Sequence, residues 1–239
     1  METILIIVIP LIAGIIGFFL KSLPNKVFKL ILALSGAFVL AMCFMHLLPE
    51  VYNTLDKSYS KGSLIAGASI LAGFLIQIAL EWLTGGIEHG HSHHHNDNRK
   101  FPLGLLVGLC VHAFIEGLPL HDHGHEHSHL LVSVLVHKFP VALILVLVFK
   151  SYGLSTLRTW GYLILFTLMA PLGMWVSEIF AKGIENVANF MMIITGVVIG
   201  VLLHISTTIL FEAGENHKYN ATKVVMILMG FIAAYFTSM

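Results

Sequence analysis

The 239 residues include 57% hydrophobic and only 11% charged side chains, and the thirteen basic residues balance the thirteen acidic ones. An ordinary soluble domain has about 25% charged residues, so the composition excludes a water-soluble globular fold. With no excess of either charge, it also argues against a nucleic-acid partner and against an acidic surface for a cationic partner.

Eight apolar segments are long enough, or nearly so, to cross a lipid bilayer as helices. Crossing about 30 Å of hydrocarbon takes about twenty mostly apolar residues, because each backbone amide must be satisfied within its own segment. The first segment lacks the positive start of a signal peptide, so we expect it to be retained. The sequence predicts an all-α fold, one polytopic membrane domain over residues 1–239, with transmembrane helices at 3–21, 29–50, 62–83, 101–120, 130–149, 158–180, 187–211 and 222–238.

The distribution of lysine and arginine predicts the orientation, since cytoplasmic loops carry an excess of these residues. The odd-numbered connections hold Lys21, Lys26, Lys29, Arg99, Lys100, Lys150, Arg158, Lys218 and Lys223, and the even-numbered ones hold Lys57, Lys61 and Lys182. Both termini are therefore predicted to lie outside, with the connection at 84–100 cytoplasmic and the one at 121–129 exterior. The short loops favour a bacterial inner membrane, with an organelle as the alternative.

Ionisable residues inside the membrane are concentrated in the fourth and fifth spans, where each costs about 2.5–3.5 kcal/mol to insert. His112 and Glu116 are four residues apart, so they share one helix face. His137 begins the next span, and antiparallel packing would bring it close to them. Imidazole and carboxylate groups suit zinc and, to varying degrees, iron, nickel or manganese. We therefore predict a three-ligand metal site with an open position, which permits exchange of the ion.

Two prolines and a glycine accompany these residues. Proline lacks a backbone donor, so Pro119 and Pro140 are expected to free the carbonyls of Ile115 and Val136. Such carbonyls are tolerated at membrane depth where they line a polar cavity. Gly117 is expected to let another backbone approach closely.

Three further residues stand near the predicted site. Lys138 adds a cation beside a predicted cation site, and it either pairs with Glu116 in the absence of metal or extends to the outer surface. His46 and His204 are candidate accessory ligands, which either face the same cavity or bond across helices. A simpler interpretation of the whole group is hydrogen bonding among buried polar residues.

The connections hold two further sets of histidines. One lies in the third connection and the other alternates with acidic and small residues in the fourth; the two sets are His89, His91, His93, His94 and His95, and His121, His123, His125, His127 and His129. Tracts of this kind bind transition metals through many interchangeable ligand sets. The alternative is a solvated low-complexity linker.

The paired motifs His112-x-x-x-Glu116-Gly117 and His137-Lys138-x-Pro140 resemble the signatures of the ZIP (Zrt-, Irt-like protein) metal transporters. The eight spans, the outside termini and the histidine-rich third connection are also similar, as are the motifs His46-Leu47-Leu48-Pro49 and Ala170-Pro171-Leu172-Gly173. The resemblance covers essentially the whole chain.

The resemblance implies a transporter rather than an enzyme. Its substrate would be zinc, with Fe²⁺, Mn²⁺ and Cd²⁺ as further candidates, carried toward the cytoplasm by alternating access. His112, Glu116 and His137 match the primary metal ligands of the family. The first, fourth, fifth and sixth spans would form a transport unit that moves against the others, and many members form homodimers.

The sequence departs from the fuller family pattern where a second ion would bind. Ala113, Val141 and Ala170 offer no ligand, and Lys138 occupies the position of one. We therefore predict one ion at the transport site. Two other classes of protein are alternatives. One is a membrane-embedded zinc hydrolase, although the sequence has no His-Glu-x-x-His pair, and the other is a metal sensor or buffer that uses the loop histidines alone.

Overall fold

The computed structural model describes residues 2–20, 24–84, 103–120, 128–212 and 220–237. Within these ranges the chain is helical, with short turns between the helices. The second helix, α2, has three consecutive parts, Asn25–Met42, a π-helical turn at Cys43–Leu47, and Leu48–Ser58. The others are α1 (Glu2–Phe19), α3 (Gly62–Thr84), α4 (Leu103–Gly117), α5 (Ser128–Ser151), α6 (Thr156–Ala181), α7 (Val187–Glu212) and α8 (Ala221–Phe236).

The all-α membrane fold predicted from the sequence is confirmed. Six helices of the described chain are long and apolar enough to cross a membrane, and α4 and α8 are shorter apolar helices of 15 and 16 residues. Each of the eight predicted spans corresponds to one helix. The protein is therefore a multi-pass helical bundle.

One predicted boundary was wrong, because α2 continues to Ser58, whereas the second span was predicted to end at residue 50 and to be followed by a turn. The last part of α2 is polar overall, but Val51 and Leu55 lie four residues apart and are fully buried. Packing of this apolar stripe outweighs the weak local preference for a turn. The turn that follows is tight, and the carboxylate of Asp56 accepts hydrogen bonds from the backbone and hydroxyl of Ser63 at the start of α3.

The apolar core is divided into two main clusters. One lies entirely on α1, α4, α5 and α6, and its members are Ala13, Leu105, Leu106, Leu109, Ala113, Ala142, Leu143, Leu145, Val146, Phe149, Leu163 and Phe166. The other is built mainly on α2, α3, α7 and α8, with the first half of α5 and a few residues of α1 and α6 packed against it. We call α1, α4, α5 and α6 the central unit and α2, α3, α7 and α8 the flanking unit.

Lys150 connects the ends of α1 and α5 in the central unit by hydrogen bonds. The ammonium of Lys150, at the end of α5, donates hydrogen bonds to the carbonyl oxygens of Gly17, Phe18 and Leu20 at 3.1, 2.9 and 2.7 Å. These carbonyls end α1 and have no partner within their own helix. A cation at this position also interacts favourably with the helix dipole.

Glycines set the distance between α4 and α6. Gly117 lies against the backbone carbonyl of Ala170, and Gly173 lies against that of Phe114, so neither position has room for a Cβ atom. The expectation that Gly117 permits a close backbone approach is confirmed. In membranes, small residues of this kind let helices pack through van der Waals contact.

Gly173→Ala should therefore lower the thermal stability of the protein in detergent, by an amount corresponding to about 1–3 kcal/mol of overpacking. Gly161→Ala, on the same helix, is the matched control, because a Cβ atom there meets nothing within 4 Å. Alanine is the better helix former by about 1 kcal/mol, so the control should unfold no earlier than the native chain. Equal unfolding temperatures for the two variants would contradict the close contact.

Candidate metal centre

Three of the predicted ligands come together between α4 and α5. His112 and Glu116 lie in the second half of α4, and His137 lies in the third turn of α5. Their ligand atoms all lie within 4.8 Å of one another, which no other group of three such residues achieves in the described part of the chain. The side chains are 2%, 0% and 3% exposed. The predicted proximity of these three residues is therefore observed in the structure.

Several polar atoms of this cluster lack hydrogen bonds. His112 Nε2 lies 3.0 Å from Glu116 Oε1, but the approach does not have hydrogen-bond geometry. These two atoms and His112 Nδ1 have no hydrogen-bond partner within the described residues. Buried polar atoms are nearly always paired. His112 and Glu116 therefore approach each other closely without a well-aligned hydrogen bond, and their atoms are of the kinds that bind a metal ion.

Lys138 provides a positive charge for the buried carboxylate. Its ammonium donates to Glu116 Oε2 at 2.6 Å, and the side chain is only 2% exposed. The ammonium also lies 5.2 Å from the centre of the Phe166 ring, within cation–π range. Of the two interpretations of Lys138, pairing with Glu116 is the one observed. Nothing in the sequence indicated the role of Phe166, because its approach to Lys138 depends on how α5 and α6 pack.

The two prolines differ in their effect. Pro140 lies inside α5, and the Val136 carbonyl receives a long contact of 3.5 Å from the Ser35 hydroxyl of α2. Pro119 lies just beyond α4, and the Ile115 carbonyl accepts from the Leu118 backbone at 3.1 Å. The expected free carbonyl at Ile115 was therefore wrong, because the helix ends at Gly117 with a tightened last turn that satisfies it.

The cluster lies at the boundary between the two units. A cavity of about 30 Å³, room for one or two water-sized groups, adjoins His112 and His137. Its other walls are apolar and come from both units, namely Leu32, Leu109, Val141, Ile144, Ile205 and Ile209. The two imidazole rings are nearly perpendicular, with centres 5.6 Å apart. An ion held here would face the flanking unit across an apolar surface.

The structure places His46 and His204 outside this cluster. His204 Nε2, on α7, lies 3.5 Å from Glu81 Oε2, on α3. The His46 ring stacks on that of His129, with centres 4.4 Å apart. Both histidines thus interact across helices rather than with the central cluster.

The other predicted loop ligands lie outside the described residues. These are His89, His91, His93, His94, His95, His121, His123, His125 and His127. His129 is described, and it lies at the first turn of α5.

Comparison with protein families gives one result for the whole chain. The family model described as ZIP zinc transporter matches residues 2–104 and 88–237, so the two matches together cover nearly every residue. The search of curated proteins found no match. The match agrees with the resemblance drawn from the paired motifs in the fourth and fifth spans.

Lys138→Met should destabilise the metal-free protein strongly, because removing one partner of a buried ion pair costs about 3–5 kcal/mol. Lys182→Met is the matched control. Lys182 pairs with Glu178 at 3.7 Å on an exposed surface, where such a pair contributes about 0–1 kcal/mol. Thermal unfolding in detergent with a chelator present measures both effects. A similar small change for the two variants would show that Lys138 does not compensate Glu116.

Proposed function

Because this chain belongs to the ZIP zinc transporter family, we propose that it moves zinc across the membrane through a site formed by His112, Glu116 and His137. Membership implies a multi-pass transporter of divalent metal ions rather than an enzyme. The observation that carries the proposal is the buried cluster of three residues whose ligand atoms lie within 4.8 Å of one another.

Zinc fits the chemistry of this cluster as a transported substrate. It binds imidazole nitrogen and carboxylate oxygen at about 2.0–2.2 Å and prefers tetrahedral geometry, which places ligand atoms about 3.3 Å apart. Small side-chain rotations would bring the three groups to that spacing. Three protein ligands leave a position open, so the ion can enter and leave. Fe²⁺, Mn²⁺ and Cd²⁺ are further candidate substrates, because the same ligands suit them to varying degrees.

Alternating access agrees with the position of the cluster between the two units. The ligands belong to α4 and α5 of the central unit, and the facing wall includes Leu32 of α2 and Ile205 and Ile209 of α7. Because this wall is apolar, few hydrogen bonds, such as the 3.5 Å contact of the Ser35 hydroxyl with the Val136 carbonyl, would break when one unit moves against the other. In the proposed cycle the ion exchanges water for the three ligands, the central unit shifts, and the ion leaves on the other side.

The remaining features of the proposal come from the sequence pattern. The excess of lysine and arginine in the odd-numbered connections supports outside termini, and transport toward the cytoplasm is proposed from the resemblance to the family. We propose one transmembrane domain over 1–239, in a bacterial inner membrane, and a homodimer as in many family members. A zinc hydrolase is less well supported, because the carboxylate that would activate water is already paired with Lys138. A sensor or buffer would not need a buried cluster.

Glu116→Ala and His112→Ala should each abolish zinc entry into liposomes that contain the purified protein and a trapped fluorescent chelator. Each change removes a ligand from the buried cluster. His204→Ala is the matched control, because this histidine pairs with Glu81 away from the cluster. Zinc flux through this variant should remain close to that of the native protein. If native vesicles do not fill although the purified protein binds zinc, the sensor and hydrolase alternatives gain support.

The transport site should hold a single ion, because the ammonium of Lys138 occupies the side of Glu116 where a second ion would bind. Anomalous X-ray diffraction from zinc-loaded crystals should give one peak within about 4 Å of the Glu116 carboxylate. Two peaks bridged by this carboxylate would contradict the prediction. Lys138→Glu, which replaces the ammonium by a ligand, is the variant in which a second peak is expected.

A further inference from the structure

A second, larger cavity lies beside the first turn of α5. It has a volume of about 320 Å³ and is lined by Met45, His46, Glu50 and Thr54 of α2 and by His129 of α5. The His46 and His129 rings stack with their planes 16° apart. Two imidazoles from different helices and one carboxylate therefore border one space, and this is the same set of donors as in the central cluster.

The backbone of α2 accounts for the position of these side chains. His46 lies in the π-helical turn Cys43–Leu47, and such turns inside α-helices frequently occur at functional sites. Pro49 follows directly and cannot donate a backbone hydrogen bond to Met45. His46, Glu50 and Thr54 succeed one another at intervals of four, so they form one line along the wall of the cavity.

We propose that His46, Glu50 and His129 form an outer metal-binding site, at which a divalent transition-metal ion binds before it reaches the central cluster. The ring centres of His46 and His129 lie 4.4 Å apart, so rotation of the two side chains can direct one nitrogen of each ring toward a shared ion. The proposal rests on the proposed transport function for its place in the cycle, but the binding site itself does not depend on transport.

This site is looser than the central cluster. Among the described residues, only the central group has three ligand atoms within 4.8 Å. The outer groups must move before they can hold an ion together, and water reaches the larger cavity more easily. The outer site therefore binds zinc more weakly and exchanges it faster, as an entry site requires.

One face of α5 connects the two sites. His129, Ser133 and His137 are spaced four residues apart and lie on one side of the helix. His129 and His137 are separated by about 12 Å along the axis. Ser133, fully buried between them, donates its hydroxyl hydrogen to the His129 carbonyl at 2.8 Å. An ion bound at His129 is thus two helical turns from the transport site.

The test is a zinc titration of the full chain in detergent. To remove background binding, the nine other histidines of the third and fourth connections, at 89, 91, 93–95, 121, 123, 125 and 127, are replaced by serine. This parent protein should bind two zinc ions, one tightly and one weakly. His46→Ala combined with His129→Ala should lose only the weak event, whereas Glu116→Ala should keep it.

His46→Gln is a second variant, which preserves size and polarity without an imidazole and guards against misfolding of the double variant. It should weaken the second event by at least about tenfold, while His204→Ala should leave both events unchanged. One bound ion in the parent, or a weak event that survives the loss of His46 and His129, would overturn the proposal. A weak event that depends on His46 in a protein without zinc flux would uphold the outer site and reject the transport function.

Discussion

The buried ion pair between Glu116 and Lys138 is the constraint on which the rest of the site depends. A carboxylate at membrane depth is costly unless its charge is compensated. Lys138 compensates it at 2.6 Å on one oxygen and leaves the other oxygen, beside His112, without a hydrogen bond. The pair therefore stabilises the buried carboxylate, and at the same time it leaves one carboxylate oxygen available to a ligand-bound ion in the proposed function. An apolar substitute for Lys138 would lose the first of these properties.

The division of the core accounts for the position of the proposed binding site at the boundary between units. Each unit has its own apolar cluster and its own close helix contacts, such as the glycine contacts between α4 and α6. The facing walls between the units at the proposed metal centre are apolar. An apolar contact surface is suited to relative movement, because such movement breaks few directional bonds.

The sequence predicted the fold class, the eight spans and the central residues, because hydropathy and the four-residue spacing on a helix are local properties. It did not predict the end of α2, since the burial of Val51 and Leu55 depends on packing against other helices. The choice between two roles for Lys138 and the stacking of His46 on His129 also required the structure. Both depend on distances between helices, which no local pattern contains. The ligand role of the cluster stays a prediction.

Under the proposed function, the net charge of the Glu116–Lys138 pair determines how the membrane potential acts on the carrier without its ion. One carboxylate and one ammonium cancel, so the empty central unit carries no net charge from this pair as it returns across the membrane. The loaded unit carries the two charges of the ion. A membrane potential contributes about 2.3 kcal/mol for each charge per 100 mV. A potential that is negative inside would therefore drive the loaded step inward without opposing the return of the empty carrier.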